Sequence, residues 1–331
     1  MTAVTGACEL FFEGRAASAS VQIGIIAIQI ANVAPAFARK SNWSGVTPLS
    51  STSSYTKPRT VAEAVALLSS GEVRILAGGT DFYPALADQP VRGSVLDVSA
   101  LRELRGVTRN ADSIHIGGLT TWTDILRTPL PRCFDALKSA AREVGSVQIQ
   151  NRGTVAGNLC NASPAADGVP PLLALDAEVE LTSTLGVRRM PLREFMLGNR
   201  KTGRRGDELL TAVIVPTTLE DAVSVFVKLG ARRYLVISIV MVAAVVQTDG
   251  EGRVAQARVS VGSCSAVAQR LHAIESDLIG AQVSQGLSSR VRAEHLKPLS
   301  PIDDVRATAA YRMDAALTLT RRALDLCAEQ I

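Results

Sequence analysis

Two glycine-rich segments, ILAGGTDFYP at 75–84 and GTVAGNLCNASPAAD at 153–167, constrain this chain more than any other feature. In the first, the strand-like run Val73–Leu76 passes directly into Ala77-Gly78-Gly79-Thr80-Asp81, then Phe82, Tyr83 and Pro84. Paired glycines let the backbone turn so that successive N–H groups face one concavity, a nest suited to phosphate oxygens, and Thr80 adds a hydroxyl donor. The spacing is neither G-x-G-x-x-G nor G-x-x-x-x-G-K-S/T, and Pro84 denies the loop a long helix. A Rossmann turn and a P-loop are thereby excluded, although a Gly-Gly turn after a strand is, by itself, a weak signal. The second segment is more specific. Gly153, Thr154, Val155, Ala156, Gly157 and Asn158 crowd small residues and donors into a tight space, and Ser163-Pro164 leads to Asp167. The Asp167 carboxylate either accepts from a ribose or ring hydroxyl or caps the next helix, whose first turn holds Pro170 and Pro171.

The surroundings read as mixed α+β. Thr60 and Glu63 have capping-box spacing, with Val61, Val65 and Leu68 on one helical face. Strands are expected at Val73–Leu76 and Ser94–Val98, and a hairpin across Asn110-Ala111-Asp112 into Ser113–Gly117. Helices are expected at 121–127 and 132–143, then strands at 177–183, 187–190 and Leu209–Val215. This lacks the steady β-α-β alternation of a doubly wound sheet. Beyond Pro216, three strands are expected (Val223–Leu229, Val236–Gln247, Arg253–Gly262), the last two joined by Asp249-Gly250-Glu251-Gly252, with helices near 267–279 and 304–328 on one face. The domains so drawn are a linker or poorly ordered extension at 1–53, a cofactor-binding domain of two subdomains at 54–218, and a small α+β domain at 219–331.

Composition removes several functions. Aromatics are 4% of the chain and the formal charge is +4, so neither a base-stacking platform nor a basic stripe for nucleic acid is present. The densest basic run, Arg200-Lys201-Thr202-Gly203-Arg204-Arg205, reads as a solvated loop broken by Gly203 and Gly206. Five cysteines and three histidines lie scattered without a C-x-x-C pair, against metal and iron–sulfur sites in this chain and for a reducing, cytoplasmic setting. The apolar stretch Val21–Ala34, followed by Ala36-Phe37-Ala38, has the look of an export signal. Glu9 and Glu13 before it, and Gln22, Gln29 and Asn32 within it, favour an extension instead, and it is too short for a membrane span.

The two glycine segments resemble those of the FAD-binding, or medium, subunit of molybdenum hydroxylases, the xanthine dehydrogenase and carbon monoxide dehydrogenase family. The resemblance runs through GSVQIQNRGTVAGNLCNASPAADGVPPLLALDAEVEL, PLREFMLGNRKT, VIVP, VKLGARRYLVIS and DDVRATAAYRMDAAL, in order over roughly residues 54–328. It implies a vanillyl-alcohol-oxidase (PCMH-type) FAD-binding fold followed by a small C-terminal domain. By that likeness Leu76, Ala77, Gly78, Gly79, Thr80, Asp81, Phe82 and Tyr83 wrap the FAD diphosphate and Gly153–Asn158 form the second wall. Asp167 holds a ribityl or ribose hydroxyl, and Leu210 and Lys228 line the flavin. Ala156 departs from the family's G-T-x-G-G-N run, which implies a slight shift. The resemblance further implies a large molybdopterin subunit, a small subunit with two 2Fe–2S clusters, a dimer of heterotrimers, and electrons passing through FAD to an external acceptor. A stand-alone flavin dehydrogenase of the same superfamily is the competing reading. No acid, base or nucleophile is assigned to this chain.

Overall fold

Three sheets, met in chain order, position the site; the computed structural model describes residues 54–331, so the expected N-terminal extension with its apolar stretch lies outside the described residues. The first sheet is parallel, in the order Tyr55–Thr56, Ser94–Asp97, Val73–Leu76. Parallel neighbours need a crossover, and helix Val61–Ser69 supplies it between the two outer strands. The Thr60 hydroxyl accepts from Glu63 N–H at 3.2 Å, while the Glu63 carboxylate returns to Arg59 N–H rather than to Thr60. Ala64, Val65 and Leu68 of this helix pack with Leu96, Val98 and Leu209, which fixes where Val73–Leu76 ends and the first glycine loop begins.

The second sheet is antiparallel, in the order Val107–Arg109, Ser113–Gly117, Leu209–Pro216, Glu178–Ser183, Gly186–Pro191. Its central strand is buried from Leu209 to Val215. Side chains alternate across the strand, and a bulge between Leu210 and Ala212 shifts the alternation by one, so Leu210, Val213 and Val215 enter the large central core while Leu209 joins the core of the first sheet. One strand therefore locks the first two sheets together.

The third sheet holds four strands, not three: Val223–Leu229, Val240–Thr248, Val254–Gly262 and the two-residue Gln269–Arg270. A two-residue strand carries no periodicity, so the sequence pattern does not register it. The second strand begins at Val240, later than the expected Val236, because the apolar run 236–239 is continuous with it in composition but not in pairing. Val242, Ala244 and Val246 pack with helix Ala309–Gln330, whereas Ala243 and Val245 pack into the core holding Phe134 and Leu172. The sheet is thus covered on both faces, not one. The far face is occupied by helices Asp135–Glu143 and Val169–Ala174 of the cofactor-binding region. Full burial of each Val or Leu contributes about 1.5–3 kcal/mol, so this shared strand couples the two parts of the molecule strongly. Among the described residues no helix is long and apolar enough to cross a membrane.

Candidate cofactor-binding cleft

The two glycine segments meet backbone to backbone. A Cβ on Gly78 would sit 1.8 Å from the carbonyl oxygen of Arg152, so no other residue permits this approach. Gly79 lies at φ +79, a left-handed conformation that glycine adopts without strain, and a Cβ there would meet the Tyr83 ring at 2.8 Å. The turn then tightens through Tyr83 N–H to Gly79 carbonyl at 3.2 Å and Ala85 N–H to Asp81 carbonyl at 3.0 Å, ending in a short 3-10 turn at Pro84–Leu86.

The second segment, expected as a loop, is half helix. Thr154 caps Val155–Asn161, its hydroxyl accepting from Gly157 N–H at 3.0 Å. Gly157 and Asn158 interrupt no apolar period, so the cap residue was the only helical cue. Trp122 N–H donates to the Gly153 carbonyl at 3.2 Å and Val155 N–H to the Thr120 carbonyl at 2.9 Å, which anchors the segment's start.

Between the segments lies a cleft of about 610 Å³, within the range of cofactor pockets. Ala77, Gly78, Gly79, Thr80, Asp81 and Phe82 line it, as do Gly153, Thr154, Ala156, Gly157, Asn158 and Leu210. These are expected residues brought together from three separate stretches of chain. Ala156 is nearly buried and shares the central core, so its extra methyl is accommodated by packing. Five expected positions contribute support rather than lining. Leu76 and Val155 are buried, and Tyr83 is exposed, set edge-on to Phe82 with ring centroids 5.4 Å apart. Asp167 does not cap helix Val169–Ala174; its carboxylate accepts from Lys228 Nζ at 2.8 Å and from Ser238 Oγ at 2.7 Å. This buried pair stands outside the cleft lining, with Lys228 in the first strand of the C-terminal sheet. Burial pushes the Asp167 carboxyl up, against the pull of the Lys228 ammonium and the Ser238 hydroxyl.

The basic run is corrected most. Arg200, Thr202 and Arg204 line the cleft, and Lys201–Thr202 pairs with Met196–Gly198 rather than forming a free loop. Arg200 Nη1 donates to Asn161 at 2.7 Å and to Asp81 at 3.2 Å, bridging to the first glycine segment. Arg204 is held through Nη1 on the carbonyls of Arg205 (2.9 Å) and Glu208 (2.7 Å). Arg205 instead pairs with the buried Glu208, which Arg188 also grips at 2.6 Å. Charge density alone does not separate cleft arginines from structural ones; that depends on where Glu208 is buried.

The lining therefore carries three cations (Arg74, Arg200, Arg204) against one carboxylate (Asp81), which favours an anionic ligand. Asn158 Oδ1 is buried and has no donor among the described residues. An unmet buried acceptor costs about 1–3 kcal/mol, which a ligand N–H or O–H recovers. Cys160 also lines the cleft, but burial pushes its thiol up to about 11 despite the nearby Arg204, so it is an inert wall. Closely approaching glycine segments, an anionic preference, apolar walls and an orphan acceptor together suit a long phosphorylated nucleotide.

Residues 50–218 match the family described as "FAD binding domain in molybdopterin dehydrogenase". The chain belongs to that family. Residues 226–326 match a second description, the carbon monoxide dehydrogenase flavoprotein C-terminal domain. Among curated relatives, the nicotinate dehydrogenase FAD-subunit of Eubacterium barkeri is 35% identical over 69% of this chain and 79% of that one. The putative xanthine dehydrogenase FAD-binding subunit of Escherichia coli K12 is 31% identical over 82% of this chain and 94% of its own. Among solved structures, a carbon monoxide dehydrogenase of Hydrogenophaga pseudoflava superposes with TM-score 0.72 at 26% identity, over 82% of this chain and 96% of that chain. The family's FAD-binding fold and flavoprotein C-terminal domain are thus both present, and the chain is an oxidoreductase subunit.

Proposed function

We propose that this chain holds FAD in the cleft between its two glycine segments and serves as the electron-transferring flavoprotein subunit of a molybdenum hydroxylase. The observation that carries the reading is the convergence of both glycine segments on one cationic cleft with the orphan Asn158 acceptor. In this reading the domain of residues 54–218 binds the cofactor and 219–331 closes it off. Backbone N–H groups of Gly78 to Asp81, with the Thr80 hydroxyl, face the diphosphate, and Gly153, Thr154 and Gly157 form the opposite wall. Asn158 accepts from the cofactor, Leu210 and Phe82 provide apolar surface, and Arg204 adds positive charge. Asp167 and Lys228, paired outside the cleft lining, would hold the flavin end only by exchanging their mutual hydrogen bond for one to the cofactor. When bound, FAD supplies the redox chemistry. The chain's own residues bind it, orient it and exclude water.

Electrons would reach this subunit from 2Fe–2S clusters on a small partner and leave to an external acceptor, while a large molybdopterin partner oxidises the substrate. The names of relatives support the assembly: a carbon monoxide dehydrogenase medium chain, a nicotine 6-hydroxylase medium subunit and a caffeine dehydrogenase subunit beta. Nicotinate, xanthine, caffeine and nicotine are N-heterocycles, which makes that class, purines included, the first substrates to test. The test is gentle purification with subunit masses, metal content and flavin reduction by a panel of N-heterocycles. A large molybdenum subunit and a small iron–sulfur subunit arriving with the chain, and substrate bleaching the flavin, are expected. A yellow, metal-free chain arriving alone and reduced directly by a substrate would establish the stand-alone flavoenzyme instead.

A further inference from the structure

Behind the first glycine segment lies a second cavity of about 440 Å³, lined by Ser99, Arg102, Arg105, Thr121, Asn151 and Arg152 among its polar residues. Ala77, Gly78, Leu119 and Thr154 line both this cavity and the cofactor cleft, so one thin wall separates them. No carboxylate lines it. Arg102 and Arg152 have no hydrogen-bond or ion-pair partner for their guanidinium groups among the described residues. Arg105 gives Nε and Nη2 to Asp124 at 2.9 and 3.0 Å, which leaves Nη1 free and fixes its guanidinium plane. The Asn151 carbonyl oxygen is taken by the Thr123 hydroxyl at 2.7 Å, so the amide's remaining capacity is as a donor.

A concavity whose polar lining consists of donors and hydroxyls, with three guanidinium groups and no lining anion, is chemically one-sided. Asp124 balances Arg105 while Arg102 and Arg152 carry no counter-charge, so the cavity keeps a net positive lining that a compact polyanion can bridge through charge-assisted hydrogen bonds. We infer that this cavity is a binding site for a phosphate-type polyanion, distinct from the cofactor cleft, with Arg102, Arg105 and Arg152 as its cationic ligands and the Asn151 amide as a donor. The polyanion is either free diphosphate or the phosphate arm of a nucleotide; both have the charge and the tetrahedral oxygens that three guanidinium groups match. The site does not depend on the electron-transfer reading. It depends only on the fold that sets Ser99–Arg105 against Asn151–Arg152.

The experiment is calorimetric titration of the FAD-loaded protein, alone and in its complex, so that the cofactor cleft is filled and cannot itself take the probe. The probes are diphosphate, ADP and adenosine, at low and raised salt. Diphosphate is expected to bind with one site per chain, more weakly as salt rises, and adenosine not at all. ADP binding tighter than diphosphate identifies the nucleotide as the source; equal affinities identify the free anion. Arg102→Ala combined with Arg152→Ala, at positions whose side chains hold no other part of the chain, is expected to lower diphosphate affinity by about tenfold or more. Flavin content and melting temperature should not change. The inference is overturned if diphosphate shows no saturable binding, if the double variant binds it as well as wild type, or if adenosine binds as well as ADP.

Discussion

Single positions decide whether the cleft takes its ligand, and Gly79 is the plainest case. A branched side chain there would crowd a diphosphate bound in the loop. At φ +79, with a Cβ 2.8 Å from the Tyr83 ring, the obstruction begins within the protein itself. Gly79→Val should therefore reshape the nest and reduce FAD retention by well over about tenfold, more than 1.4 kcal/mol, read as flavin per chain after desalting. Asn158 gives a sharper test because its Oδ1 is an unmet buried acceptor. Asn158→Ala removes that cost from the empty protein while removing a cofactor contact. FAD affinity should fall by about tenfold, and the cofactor-free protein should melt no lower than wild type. A purely structural Asn158 would give the reverse pattern. Arg204→Ala separates the sequence from the structure: a solvated loop leaves FAD content alone, whereas a cleft arginine loosens FAD several-fold. The glycines were legible because φ and close approach demand that residue type. The arginines were not, because their roles depend on Glu208, whose burial no local pattern announces.

Secondary-structure elements were readable where period and caps agreed. Helix Val61–Ser69 and strands Val73–Leu76 and Val223–Leu229 fall where capping and alternation put them. Two failures share a cause. Gln269–Arg270 is too short for periodicity, and the helix start at Val155 is disguised as a glycine loop. The overlooked short strand matters energetically. Arg270, nearly buried, grips Glu275 at 2.5 and 2.9 Å and reaches across to the Leu173 carbonyl at 3.0 Å and to Asp176 at 2.6 Å. It thus fastens the C-terminal sheet to the end of helix Val169–Ala174. Glu275 is also buried and accepts from Val259 N–H at 2.8 Å, so removing Arg270 leaves its carboxylate only the His272 ring at 3.0 Å as a side-chain partner. Arg270→Ala should destabilise the fold by about 3 kcal/mol, measured as a shifted urea midpoint, with the third sheet and the Val169–Ala174 helix losing exchange protection together.

At the scale of the whole molecule, the distribution of carboxylates sets the response to acid. Burial would raise Glu208 and Asp124, yet Arg188 and the Arg205 N–H hold the first low, and Arg105 and Thr121 the second. The Arg306 N–H and Arg312 hold Asp304 lower still. For a group whose folded pKa lies below its unfolded value, stabilisation is full above the unfolded value and disappears as pH falls through the folded one. Melting temperature should therefore be nearly flat above about pH 5 and drop steadily below about pH 4, and Glu208→Gln should flatten part of that drop. Asp167, pushed up by burial, acts in the opposite sense, adding stability as pH falls through its raised value towards the ordinary Asp range, before the acid limb begins.

The central claim is that FAD is held between the two glycine segments. Its most direct measurement is equilibrium titration of cofactor-free protein with FAD, followed by flavin fluorescence, for wild type and for Asn158→Ala and Gly79→Val. Saturation at one FAD per chain in the wild type, with marked weakening in both variants while each remains folded, is the outcome the structure leads to. Undiminished FAD affinity in both folded variants would contradict it and move the cofactor to another part of the chain.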